Sequence, residues 1–159
     1  MTTHDITNSI SNILKLYDIQ DEECLKNTPA RVSKAYSEMW RGLVEDMPKL
    51  TRFESSEKIE VVVKDIEFCS TCLHHLLPFF GNVSISYKSN GWILGLSKYS
   101  RLVQWCASRP TIQEQLAVDI KKKLEEVLDT EVSVEVTAKH SCVFARGIKD
   151  SCANAIIRV

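Results

Sequence analysis

Glycine and proline are scarce, at 5 and 4 residues in a chain of 159. That excludes collagen-like, low-complexity and proline-rich linker architectures, and no internal repeat is visible. No apolar run approaches the length of a membrane span, so no membrane partner is expected. The stretch from Thr2 to Asn12 is polar and holds no secretory h-region. A cytoplasmic chain is therefore expected, with its cysteines free, buried or metal-bound instead of paired in disulfides. An excess of one charge is also missing: 20 Lys+Arg stand against 21 Asp+Glu, for a net charge of -1. No global field draws the chain to nucleic acid, so no such partner is expected, and any anion site must be a local cluster.

What is present is a 44% hydrophobic content, enough for one domain with its own core. Ile6, Ile10, Ile13, Leu14 and Tyr17 recur at helical spacing and predict a helix over 5–17. Thr28-Pro29 reads as a helix start, after a polar connection at 21–27, with the helix running to about Trp40 and stopped by Gly42. Residues 45–57 read as irregular. Strand patterns follow at 59–68 and 79–87, and Ser89-Asn90-Gly91 reads as a hairpin turn into Trp92-Ile93-Leu94. Ser97 is placed to cap a helix over 98–107. Arg109-Pro110-Thr111 interrupts, and a long helix follows to Leu128, with Ile112, Leu116, Ile120, Leu124 and Leu128 on its buried face. Strands are predicted at 132–138, at 143–148 and near Ile156-Ile157. Helices and strands segregate, which points to an α+β fold: an antiparallel sheet with helices on one face, preceded by an N-terminal helical pair. The expected division is a helical region over 1–57 and a catalytic region over 58–159. Open sheet edges favour a ring of subunits.

Chemistry concentrates in two short clusters, Cys72-Leu73-His74-His75 and His140-Ser141-Cys142. Thiolates and imidazoles suit Zn²⁺, and a catalytic zinc keeps three protein ligands and one open position. A remaining histidine would be free to move protons near neutral pH. The pattern alone equally suits a structural zinc knot, or two core thiols beside surface histidines.

Five motifs narrow this. Residues 28–36, TPARVSKAY, resemble the TPxRVAKxY helix of GTP cyclohydrolase I; 72–79, CLHHLLPF, resemble CEHHLLPF. Residues 95–101, GLSKYSR, are similar to GLSKxxR; 109–116, RPTIQEQL, to RPQxQERL; and 140–148, HSCVFARGI, to HxCxxxRGV. Their order and spacing match from about Thr28 to Ser151. The resemblance implies the tunnelling fold. It implies Cys72, His75 and Cys142 as zinc ligands, and His74 and His140 as catalytic proton carriers. It implies Glu114, with Gln113 beside it, as the guanine-recognising pair. Ser97, Lys98, Arg101 and Arg146 would hold the triphosphate of GTP, with Arg31 and Lys34 reaching it from a neighbouring subunit of a ring, expected to be a homodecamer. Each cation could instead be part of a solvated face, Ser97 only a cap, Glu114 the partner of a helix lysine, and His140 a core histidine. Cys24, Cys69, Cys106 and Cys152 match no motif position and read as buried small apolar residues.

Two positions depart from the family pattern. Leu73 stands where the family has Glu, which would remove an acidic group from beside the metal ligands, and Gln115 replaces an Arg. The tail over Asn154–Val159 is apolar and shorter than usual, and the N-terminal region is short, so no added regulatory extension is expected. The implied activity is hydrolytic opening of the guanine imidazole ring at C8, release of formate and formation of 7,8-dihydroneopterin triphosphate for folate, pterin or 7-deazaguanine synthesis. Two rivals remain: a variant that stops at a ring-opened formamide or takes a deoxy or modified nucleotide, and a ring-forming module that binds zinc and purine without turnover.

Overall fold

The computed structural model describes residues 3–159, and their side chains from Asp5 onward. Contacts divide the chain into two compact units, Met1–Arg41 and Gly42–Val159.

The first unit is a pair of helices, α1 (Thr3–Leu16) and α2 (Glu22–Met39), packed on each other. The Thr28-Pro29 start is not realised. Asp21 is the N-cap, its carboxylate accepting from the Cys24 N–H at 2.6 Å, and Glu22 and Glu23 load the first turn with negative charge. A cap of this kind contributes about 1 kcal/mol and acidic first-turn residues complement the helix dipole. The helix therefore begins about two turns earlier than Pro29 suggests, and takes in the stretch expected to be a connection. Pro29 lies inside it and denies Leu25 its usual donor four residues on.

Residues Arg41–Leu43 form a 3₁₀ turn, and the second unit carries a short strand β1 (Arg52–Glu54), which the sequence pattern did not mark because all three residues are exposed. The main sheet contains β2 (Glu60–Cys72), β3 (Pro78–Lys88), β5 (Pro110–Thr111), β6 (Val132–His140) and β7 (Ala155–Arg158), in the order β5-β2-β3-β6-β7. All its pairings are antiparallel except the two-residue contact of β5 with β2. The turn at 89–91 does form, with Gly91 at φ +86°, but β4 (Trp92–Leu94) does not return along β3. It pairs with β1 instead, in a separate two-stranded sheet.

Helices α3 (Leu96–Ala107) and α4 (Gln113–Leu128) cover the sheet. Leu102, Val103, Leu116, Ile120, Leu124 and Leu128 are fully buried, against Phe79, Val83, Val132 and Val136 of the strands. The alternating residues, including Lys64, Glu67, Asn82 and Ser133, are exposed. This is the period-2 pattern of a sheet with one covered face, and the expected α+β architecture holds. Ser97 is not a cap: Gly95 takes that position and Ser97 sits in the first turn. The strand expected over 143–148 is absent as well. Ser141–Phe144 forms a single helical turn, α5, closed by the Ala145 N–H donating to the Ser141 carbonyl at 2.9 Å. Beyond it Gly147 and Lys149 both take left-handed φ. The place beside β6 is filled by β7, in register from Glu135↔Arg158 to Ala138↔Ala155.

Candidate metal centre and cleft

Three chain segments end at the same level of the sheet. β2 stops at Cys72, β6 stops at His140, and α4 starts at Gln113 directly after β5. The register fixes this: Ser70 lies opposite Phe79, and Phe79 opposite His140. From β2 the chain turns tightly through Leu73, His74 and His75, with the Leu76 N–H donating to the Cys72 carbonyl at 2.8 Å and the Cys72 N–H to the Leu77 carbonyl at 2.8 Å. Leu76 adopts φ +55°, a conformation uncommon for a bulky residue. The Leu73 N–H donates to the Thr111 carbonyl at 3.0 Å and ties this turn to β5.

A cleft of about 190 Å³ opens there, lined by Cys72, His74, His75, Thr111, Ile112, Gln113, Glu114, His140 and Cys142. Ligand atoms of Cys72, His75 and Cys142 all lie within 4.8 Å of one another. The two sulfurs are 4.0 Å apart, and Cys72 Sγ is 3.7 Å from His75 Nδ1. A tetrahedral zinc with bonds of about 2.1–2.3 Å spaces its ligands at about 3.5–3.8 Å, so both the chemistry and the spacing of this donor set suit Zn²⁺. The Cys142 thiol is held above its ordinary pKa, first by burial and then by the neighbouring Cys72 sulfur, while Arg146 acts in the opposite sense. Two adjacent thiols resist joint ionisation, and a divalent cation would relieve that by displacing their protons.

The remaining cleft residues are held by hydrogen bonds and packing. The His140 ring stacks on the fully buried Phe79, with centroids 4.8 Å apart and planes within 2°. Burial lowers the His140 pKa below the ordinary imidazole value, and the Glu114 carboxylate partly counteracts this. Its Nε2 lies 2.8 Å from Gln113 Oε1. Arg146 Nη1 donates to His75 Nε2 at 3.0 Å. That contact leaves the proton of a neutral ring on Nδ1, so it and metal ligation through Nδ1 exclude each other.

Of the residues singled out from sequence, the structure thus gathers Cys72, His74, His75, Gln113, Glu114, His140 and Cys142 in one cleft, with Arg146 at its rim. Ser97, Lys98 and Arg101 lie on the first turns of α3, outside the cleft lining. Arg31 and Lys34 lie on α2 in the first unit. Arg31 pairs with Glu23 at 2.8 Å and Lys34 approaches Glu38 at 3.8 Å, all four exposed. Leu73 is 56% exposed and is not among the residues that line the cleft. The cysteines outside the motifs are not uniformly buried: Cys106 is, Cys24 is half-buried, and Cys69 and Cys152 are exposed. Sequence reasoning passed over Thr111 and Ile112 as cleft walls and Phe79 as the platform for His140. Phe79 was within reach, since it follows the Cys-Leu-His-His motif and alternates inward on β3.

A profile of the GTP cyclohydrolase I family matches residues 6–159. GTP cyclohydrolase 1 of Enterococcus faecalis is 46% identical over 129 residues, 79% of this chain and 69% of that protein. The protein of the same name from Dehalococcoides mccartyi is 41% identical over 150 residues, 91% of this chain and 79% of the relative. That of Histophilus somni is 39% identical over 152 residues, 92% and 70% of the two chains. Among solved structures, the apo form of an archaeosine synthase QueF-Like aligns with a TM-score of 0.47 at 23% identity, covering 65% of this chain and 95% of that one.

Proposed function

We infer the reaction from one premise: the chain belongs to the GTP cyclohydrolase I family, whose profile matches it from residue 6 to its last residue. It is an enzyme, a hydrolase acting on cyclic amidines. We propose that it opens the imidazole ring of GTP at C8, releases formate and forms 7,8-dihydroneopterin triphosphate. The observation that carries this reading is the convergence of Cys72, His75 and Cys142 beside His74, His140 and Glu114 in one cleft. Held by the two thiolates and the imidazole, Zn²⁺ would supply a Lewis acid that makes water a nucleophile near neutral pH.

The protein's own groups do the rest. Glu114, exposed at the start of α4, is the proposed acceptor for two N–H groups on the guanine edge. Adenine presents the wrong donor pattern there, and a carboxylate left unpaired in a closed complex makes the discrimination sharp. His140, whose pKa burial lowers, is suited to take a proton as water adds to C8, and His74 on the adjoining turn to return one to the leaving nitrogen. Arg146, Lys98 and Arg101 are proposed to hold the triphosphate through charge-assisted hydrogen bonds, with Ser97. Arg31 and Lys34 are proposed to reach it from a neighbouring copy in a ring, a decamer in our reading. All six cysteines are free, which suits a reducing compartment, and the cytoplasm is the proposed location.

The test is to incubate metal-loaded protein with GTP and identify products by mass. Equimolar formate and a pterin triphosphate are expected. Accumulation of a ring-opened formamide would mean that the reaction stops at the first hydrolysis, and no product at all would mean a binding module.

A further inference from the structure

We propose that Gln113 is a positioning residue that locks the His140 ring in the tautomer protonated on Nε2, so that Nδ1 is left as its one basic nitrogen. Its place in proton transfer rests on the role proposed above for His140; the tautomer itself does not.

Gln113 is 3% exposed, and every polar group of its amide is committed. Nε2 donates to the Val136 carbonyl of β6 at 2.8 Å and to the Ala155 carbonyl of β7 at 3.0 Å. Those two bonds use both N–H groups of the amide. They also fix which way it faces, since the flipped amide would set its oxygen against two carbonyl oxygens. Oε1 is therefore the atom turned to His140, and it can only accept. His140 Nε2, at 2.8 Å, must be the donor. The other tautomer would face lone pair against lone pair and leave a buried amide oxygen without a partner, an arrangement proteins avoid. Stacking on Phe79 sets the plane of the ring, and the Gln113 bond sets its rotation about that plane. Among the described residues no hydrogen bond reaches Nδ1.

The side chain next to the guanine-recognising Glu114 is thus spent inside the protein, tying the first turn of α4 to two strands and to His140. This separates two neighbours that the motif presents together: Glu114, exposed in the cleft, is free for substrate, whereas the Gln113 amide has no N–H left for it and its oxygen is turned to His140.

The test uses metal-loaded, full-length protein labelled with [15N]histidine. His140 signals are assigned by their loss in His140→Asn. In the wild type, Nε2 should resonate as the protonated nitrogen and Nδ1 as the bare one. In Gln113→Met, similar in size but without the acceptor, the two should move toward a tautomer average. The kcat should fall by about 10–100-fold, the usual scale for losing a group that orients a catalytic histidine, with KM for GTP nearly unchanged. A proton on Nδ1 in the wild type, or an unchanged spectrum in Gln113→Met, overturns the proposal. So does a Gln113→Met variant that raises KM while keeping kcat, which would make the amide a substrate ligand. Should Gln113→Met fail to fold, the wild-type spectrum still decides. That spectrum does not depend on turnover, so failure of the cyclohydrolase reading is seen separately.

Discussion

The cleft at the ends of β2 and β6 and the cations of α2 and α3 are held in opposite ways. Cleft residues are fixed by strand register, by a tight turn and by hydrogen bonds that leave Gln113 no freedom. The cations stand on helix surfaces, with Arg31, Lys34 and Arg101 exposed and Lys98 half-buried. Arg31 pairs with Glu23 on its own helix, and exposed pairs of that kind contribute less than about 1 kcal/mol. One chain therefore preorganises the groups proposed for chemistry and leaves most of the groups proposed for phosphate unassembled. Preorganisation matters most where charge develops during reaction. A flexible polyanion can be gathered later, by side chains from another copy.

Breaking the fixed half should have the largest effect. Cys142→Ala should lose bound zinc, from about one per chain to near zero by elemental analysis, and turnover should fall by about 10³-fold or more, as when a unit of catalytic groups is broken. Zinc retained in that variant would remove Cys142 from the ligand set. His140→Asn should keep the metal and lower kcat by about 10²–10⁴-fold, the range for a general acid–base. A change confined to KM would contradict its proposed role.

Breaking the loose half should act on binding. Lys98→Ala or Arg101→Ala should raise KM for GTP by about 10–100-fold, matching one charge-assisted hydrogen bond, and guanosine should be affected far less. Mixing sharpens the comparison. Cys142→Ala chains and Arg31→Ala chains, each poorly active alone, should regain activity when dissociated and reassembled together. No recovery would place Arg31 outside a neighbour's site.

The smallest effects belong to positions outside both sets. Leu73→Glu should change kcat less than about threefold, because the side chain is exposed away from the cleft wall. A large gain would restore the view that a missing carboxylate limits the rate. Cys106, buried and with its thiol pKa pushed up to about 12, should resist alkylation at pH 8 while exposed Cys152 reacts, as mass mapping would read directly. A rapid reaction at Cys106 would contradict its burial on the inner face of α3.

The alternating strands and the four-residue spacing of α4 were legible because burial on one face imposes a period, as at Val132, Val134 and Val136. The start of α2 was not, since Thr-Pro is a common N-terminal signature and the competing cap at Asp21 wins only through its acidic first turn. The motif around Val143 looks like a strand locally, but β7 already takes the edge of β6, a competition invisible in a local window. In the cleft, residue types and spacing pointed to a Cys/His cluster, and the family resemblance implied Cys72, His75 and Cys142 as its ligands. They could not separate Gln113 from Glu114, because the difference lies in what the amide meets on β6 and β7.

The account stands or falls on the link between the thiolate–imidazole cluster and ring opening. Protein stripped of metal and titrated with Zn²⁺ should release formate from GTP in proportion to bound zinc, from a zero intercept to a maximum near one ion per chain. Formate release that is unchanged by stripping, or absent at full zinc loading, would contradict it.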